Sequence, residues 1–239
     1  MRCLASKIIL IIKSFSFIIR IFCAIIDEAK FWRTIMPGYI KIGITGGTFD
    51  PIHYGHLIIA ENIRYTIGLD KIIFVPTGMP PHKKHLNVTS SADRLTMVKK
   101  AVHSNPHFEV SSVEIEREGY TYTIDTIKHF KRIYGEKAQL YFITGADVVK
   151  ELTTWKNFEV LFGLCKFVVG LRPEYVDESF YNEIEFLKTK YNADITVADI
   201  PMVQISSTDI RKRIQEGRSI KYLLPECVED YIYKNKLYT

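Results

Sequence analysis

The sequence predicts an α/β fold, a doubly wound parallel sheet with helices on both faces. Three observations carry this reading. Short, continuously apolar runs recur between residues 39 and 198. Stretches with helical periodicity separate them. Glycine and proline mark most of the junctions. Strands that read as unbroken apolar runs are buried on both faces, which is the signature of a parallel sheet between helical layers.

Each element follows in order. Tyr39–Thr45 reads as the first strand and runs into a glycine turn. His56–Ile67 has helical periodicity and stops at Gly68. Lys71–Val75 is a short β-branched run, followed by the loop TGMPPHKKH. Ser91 is placed to cap a helix reaching Val102. Phe108–Ile115 reads as strand, Thr123–Tyr134 as helix ending at Gly135, and Leu140–Thr144 as strand. Ala146–Leu152 is a short helix, Lys166–Gly170 a strand, Glu178–Tyr191 a helix and Ile195–Ala198 a strand. Ser207–Gln215 and Pro225–Asn235 close the pattern as helices, the latter with proline in its first turn. Ligands of such sheets sit at the carboxyl ends of the strands, near the point where strand order reverses.

Composition narrows the partners. The 239 residues are 47% hydrophobic and 25% charged, an ordinary globular balance. The net charge is +5, but residues 1–35 carry six cations against Asp27 and Glu28, so residues 36–239 hold only about +1. A domain with no general basic excess is not expected to bind nucleic acid. Cysteines 3, 23, 165 and 227 form no CxxC pair and no zinc spacing, and read as free thiols. No protein-held metal is expected.

Residues 1–38 form a hydrophobic, basic extension ahead of a domain at 39–239. The run IILIIKSFSFIIRIFCAII is interrupted by Lys13 and Arg20, so it falls short of a clear membrane span. Its apolar residues lie nearly all round a helical wheel, which also makes it a poor surface helix. Met36 opens MPGYIKIGITGG, a normal approach to a first strand, and an over-extended start is the simplest expectation. A membrane-associated arm over residues 1–35 and a packed helix stay open as alternatives. The domain itself is expected in the cytoplasm, with its oligomeric state open.

Two segments concentrate the chemistry. Gly46-Gly47-Thr48-Phe49-Asp50-Pro51-Ile52-His53-Tyr54-Gly55-His56 follows the first strand directly. Two glycines let a phosphate approach the backbone. His53 and His56, three apart at a helix start, present two imidazoles where unpaired amides and the helix dipole favour anions. Neither GxxxxGK[ST] nor GxGxxG is present, so the turn is not a P-loop or a dinucleotide fingerprint. The second segment, Ile205-Ser206-Ser207-Thr208-Asp209-Ile210-Arg211, clusters hydroxyl donors at a helix start, with an arginine one turn in that can grip a phosphate by two bonds.

The run GGTFDPIHYGH resembles the signature of the nucleotidyltransferase superfamily with HxGH, and ISSTDIR resembles its ISSTxIR motif. Pro80-Pro81-His82-Lys83, Glu116-Arg117-Glu118-Gly119 with Tyr122-Thr123-Ile124-Asp125-Thr126, and Gly145-Ala146-Asp147 with Trp155 resemble segments of the bacterial nicotinate mononucleotide adenylyltransferases. The similarity runs from about Lys41 to Tyr238. One departure is Glu151, near which family members can carry an aromatic residue.

The resemblance implies a Rossmann-like sheet of the nucleotidyltransferase type. It also implies transfer of the adenylyl group of ATP to nicotinate mononucleotide in NAD biosynthesis, with Mg²⁺ carried on ATP. His53, His56 and Arg211 would be catalytic. Gly46, Gly47, Thr48, Phe49, Gly145, Asp147, Ser206, Ser207 and Thr208 would join them in holding ATP. Lys83, Thr123 and Trp155 would receive the acceptor. Rival readings are a related adenylyltransferase acting on nicotinamide mononucleotide or phosphopantetheine, a silent nucleotide sensor, and a membrane-tethered scaffold.

Overall fold

The computed structural model describes residues 38–79, 88–171, 177–201 and 203–239. Contacts divide the chain into Met1–Ile40 and Lys41–Thr239, and the sheet and its helices belong to the second unit apart from the first residue of its first strand. The expectations for residues 1–35 and for Lys83 lie outside the described residues.

Six strands form one sheet: β1 Ile40–Gly47, β2 Lys71–Pro76, β3 Phe108–Val110, β4 Ala138–Gly145, β5 Lys166–Gly170 and β6 Ile195–Ala198. Their order is β3-β2-β1-β4-β5-β6. The pairings β1–β2, β2–β3, β4–β5 and β5–β6 are parallel, with Ile44 opposite Ile73 and Ile143 opposite Val168. The chain moves outward from β1, then crosses back to start again at β4. The carboxyl ends of these two central strands therefore flank the crevice that a doubly wound sheet leaves open.

The strands are apolar throughout because both faces are covered. Ile42, Ile44, Ile72, Phe74 and Phe167 have no exposed surface. Burying each such side chain is worth about 1.5–3 kcal/mol, which fixes the strand register.

The helices are α1 Tyr54–Ile67, α2 Ser91–Val102, α3 Thr123–Tyr134, α4 Phe158–Leu164, α5 Glu178–Tyr191, α6 Ser207–Gln215 and α7 Glu226–Lys234. Gly68, at φ +67°, ends α1 in the left-handed conformation and returns its amide to the carbonyls of Arg64 and Tyr65. Ser90, rather than Ser91, caps α2, its hydroxyl accepting the Asp93 amide at 3.1 Å. Pro225 is the cap of α7, one position outside the helix. The stretch after β4 is a 3-10 helix, Ala146–Thr154, longer than expected.

Two further elements differ from expectation. β3 is three residues long, because the Ser112 carbonyl accepts the amides of Ile115 and Glu116 and turns the chain out of the sheet. Helix α4 was not anticipated from FEVLFGL, a short apolar run without helical periodicity. Among the described residues no helix is long and apolar enough to cross a membrane.

Candidate active site

A cleft of about 790 Å³ opens at the carboxyl ends of β1 and β4. Its walls include Gly46, Gly47, Thr48 and His56 on the β1 side, Thr123 at the start of α3, Gly145 at the end of β4, and Asp147 and Trp155 after it. These residues come from three separate segments of the chain.

His53 is the N-cap of α1, with an extended backbone (φ −147°), and His56 is the third residue of the helix. The two rings stack with centroids 3.8 Å apart and 28° between planes. His53 is buried, while His56 is partly exposed to the cleft. The backbone N–H of His53 donates to Nδ1 of His56 at 3.3 Å. Nδ1 is thereby an acceptor, so the neutral ring carries its proton on Nε2, where it is a hydrogen-bond donor. Phe49, at φ +50°, sets its ring edge-on to His56 with centroids 5.0 Å apart. Gly55 is required between the histidines, because a Cβ there would stand 2.9 Å from Nδ1 of His53.

The helix α6 is docked against the β1–α1 turn. Ser206 caps it by accepting the Asp209 amide at 3.1 Å. The Ser207 hydroxyl donates to the Pro51 carbonyl at 2.9 Å. Arg211 donates from Nη1 to the Asp50 carbonyl at 2.7 Å and from Nη2 to the Thr208 hydroxyl at 3.3 Å. His53, Phe49, Ser206, Ser207, Thr208 and Arg211 thus lie behind or beside the cleft wall rather than in it.

On the far wall, Tyr122 occupies the N-cap position of α3 and Thr123 is its first helical residue, as expected. The first-turn amides of such a helix have no intrahelical acceptor. Trp155 packs edge-on against Phe142, centroids 5.7 Å apart. A Cβ on Gly145 would collide with the Asp147 carboxylate, so glycine is what lets that carboxylate fold back over the end of β4.

Three residues around the cleft were not singled out from the sequence. Arg94 is only 2% exposed, and its guanidinium bonds three carbonyls: Thr89 at 3.0 Å, Thr48 at 2.7 Å and Thr77 at 2.8 Å. It ties the β1–α1 turn to both flanks of the segment after β2. Its signal was present, since Arg94, Met97, Val98 and Ala101 share the buried stripe of α2. Glu114 is buried in the cleft wall, and burial pushes its carboxyl up despite the Thr126 hydroxyl donating to it at 2.7 Å. Lys156 also lines the cleft, its ammonium 4.2 Å from the centroid of the Tyr122 ring.

The cytidylyltransferase-like family model matches residues 44–213. A probable nicotinate-nucleotide adenylyltransferase of Thermoanaerobacter sp. (strain X514) is 55% identical over 203 residues, which cover 85% of this chain and 96% of the relative. The chain belongs to the nicotinate-nucleotide adenylyltransferase family. A second member, from Moorella thermoacetica, is 48% identical over 84% of this chain and 92% of its own length. The fold of the family is shared by the Plasmodium falciparum nicotinic acid mononucleotide adenylyltransferase complexed with NaAD, with a TM-score of 0.69 and 24% identity over 83% of this chain and 97% of that one. In this chain the HxGH segment follows β1 and the GAD segment lies at the end of β4, one on each side of the switch point, with His56, Gly145 and Asp147 lining the cleft.

Proposed function

We propose that this chain transfers the adenylyl group of ATP to nicotinate mononucleotide, giving deamido-NAD and pyrophosphate in NAD biosynthesis. The observation that carries the reading is His56 in the cleft wall, backed by the stacked, buried His53 and with its Nε2–H as donor, in the same cleft as the GAD segment.

An oxygen of the acceptor's phosphate attacks the α-phosphorus of ATP, and the bond from that phosphorus to the bridging β-oxygen breaks. The nucleophile is already an anion, so no strong base is needed and catalysis is positioning plus charge stabilisation. In this scheme His56 donates to the α-phosphate, where charge develops. His53 supports the ring from behind. Gly46, Gly47 and Thr48 give the phosphates backbone and hydroxyl donors, and Phe49 fixes the His56 edge. Ser206, Ser207, Thr208 and Arg211 hold the departing pyrophosphate end. Gly145 and Asp147 meet the ribose.

Trp155 stacks on the pyridine ring, Thr123 offers its first-turn amide to the nicotinate carboxylate, and Lys83 meets the acceptor phosphate. Among the described residues no three His, Cys, Asp or Glu side chains are grouped to hold a metal. Mg²⁺ enters with ATP, bound by phosphate oxygens and water, as part of the substrate. The chain works in the cytoplasm on these small molecules.

The test is ATP-dependent pyrophosphate release with nicotinate mononucleotide, nicotinamide mononucleotide and phosphopantetheine as acceptors. The nicotinate acceptor is expected to give the highest kcat/KM. His56→Ala is expected to fold and to lose roughly 10²–10³-fold in kcat, the cost of one preorganised donor. A folded His56→Ala protein with near-normal turnover refutes the assignment.

A further inference from the structure

Beyond the residues assigned so far, Asp50 is the most enclosed carboxylate beside the cleft, at 5% exposure. A buried carboxylate persists only when hydrogen-bonded or paired. Its Oδ1 accepts the Tyr238 hydroxyl at 2.7 Å, and its Oδ2 accepts the Thr89 amide at 3.3 Å. Arg94 acts on it through its field, with the guanidinium already taken by three carbonyls. The same residue's backbone carbonyl is what Arg211 Nη1 rests on at 2.7 Å.

Carboxylate and carbonyl share one Cα, so anchoring the carboxylate limits how far the residue, and with it the carbonyl under Arg211, can shift. Tyr238 reaches this position from the segment following α7, 188 residues away in sequence. Its backbone is left-handed, at φ +66°, and Phe49, next to Asp50, is left-handed too. Bulky residues hold such backbone only where the surrounding contacts over-determine it. Burial, together with the Asp50 charge, pushes the Tyr238 phenol well up, so it stays protonated and able to donate.

We infer that Tyr238 is a positioning residue for the phosphate grip: its hydroxyl orients Asp50, whose carbonyl in turn aims the Arg211 guanidinium at the pyrophosphate end of ATP. The inference rests on the proposed function. It separates Tyr238 from a purely structural role, because the effect must pass through Arg211.

The experiment is a double-mutant cycle on the full chain. Tyr238→Phe, Arg211→Ala and the double variant are measured for kcat/KM toward ATP, for KM toward nicotinate mononucleotide, and for ATP binding by calorimetry. Tyr238→Phe removes one oxygen and keeps the ring. Its expected effect is about a 10-fold loss in kcat/KM for ATP, the scale of one net hydrogen bond, with KM for nicotinate mononucleotide unchanged. In the Arg211→Ala background the same change is expected to cost less than about twofold, because coupled residues are non-additive.

Asp50→Asn keeps the volume but weakens the acceptor. It should show the same dependence on Arg211, and it serves as the second probe if Tyr238→Phe is poorly folded. Losses that multiply independently in the double variant, or a Tyr238→Phe enzyme equal to wild type, overturn the inference while leaving the proposed function intact. A wild-type chain that neither binds ATP nor releases pyrophosphate overturns both.

Discussion

Replacing Arg94 with methionine should be among the most damaging single changes outside the cleft surface. The side chain keeps similar length and apolar bulk, so the perturbation is the loss of three charge-assisted bonds to the carbonyls of Thr48, Thr77 and Thr89. Hydrogen bonds to a charged group contribute about 1.5–3 kcal/mol each, a gross loss of roughly 4.5–9 kcal/mol. The offset is the cost of keeping a guanidinium out of water. That cost is real here, since burial holds the Arg94 pKa below its ordinary value.

A net destabilisation of about 3–5 kcal/mol follows, a large share of the ~5–15 kcal/mol that a domain typically has. For a domain of this size each kcal/mol moves Tm by about 2–4 °C, so the expected fall is roughly 6–20 °C. Thermal and urea unfolding followed by circular dichroism read it directly. Arg94→Lys, with one ammonium in place of a fork, should recover only part of the loss. An Arg94→Met protein within about 1 kcal/mol of wild type would show that the three carbonyls find other partners, and the clamp would have to be abandoned.

Two further changes probe the cleft itself. Glu114 has its folded pKa raised by burial, so the native state keeps a proton that the unfolded chain has released. Its contribution to stability is complete below its ordinary value of about 4.5 and is lost as pH rises through the folded value. Glu114→Gln should therefore gain stability relative to wild type between that pH and neutrality in urea titrations, and a difference that is flat with pH would sink the idea. Gly55→Ala places a Cβ 2.9 Å from the His53 ring and forces the stacked pair apart. The expectation is a ~10–100-fold fall in kcat with the fold retained, and unaltered turnover would contradict the stacking role.

The sequence is most legible where chemistry and chain direction coincide. HxGH, GAD and the Ser206–Arg211 segment each follow a strand or open a helix, so local pattern places them. Gly68, Gly135 and Gly217 mark helix ends where the side-chain-free backbone turns left-handed, and those boundaries are correspondingly sharp. Helix α4 was missed because seven mostly apolar residues after Asn157, itself left-handed, have too little length to show a period. The over-long β3 has a different cause: Val113 and Ile115 resume an alternation that the Ser111–Ser112 pair interrupts, and the Ser112 carbonyl captures this stretch into a turn.

The hidden part of the site is the layer behind it. Arg94 meets Thr48 across 46 residues, and Tyr238 meets Asp50 across 188. No local periodicity encodes such meetings. An arginine on an apolar helical stripe is the one clue that sequence could have offered.

The reversal of strand order between β1 and β4 also divides responsibilities. In the proposed reaction the donor nucleotide's phosphates are handled by the β1–α1 turn and α6, while the acceptor is handled by segments that follow β2, β3 and β4. The segment joining β3 to α3 lies outside the sheet, and lengthening a flexible loop costs little, about 0.6 kcal/mol for each doubling. Preference among pyridine substituents is thus open to drift or engineering in residues 111–122, which lead into Thr123, with the β1–α1 turn and α6 left unchanged.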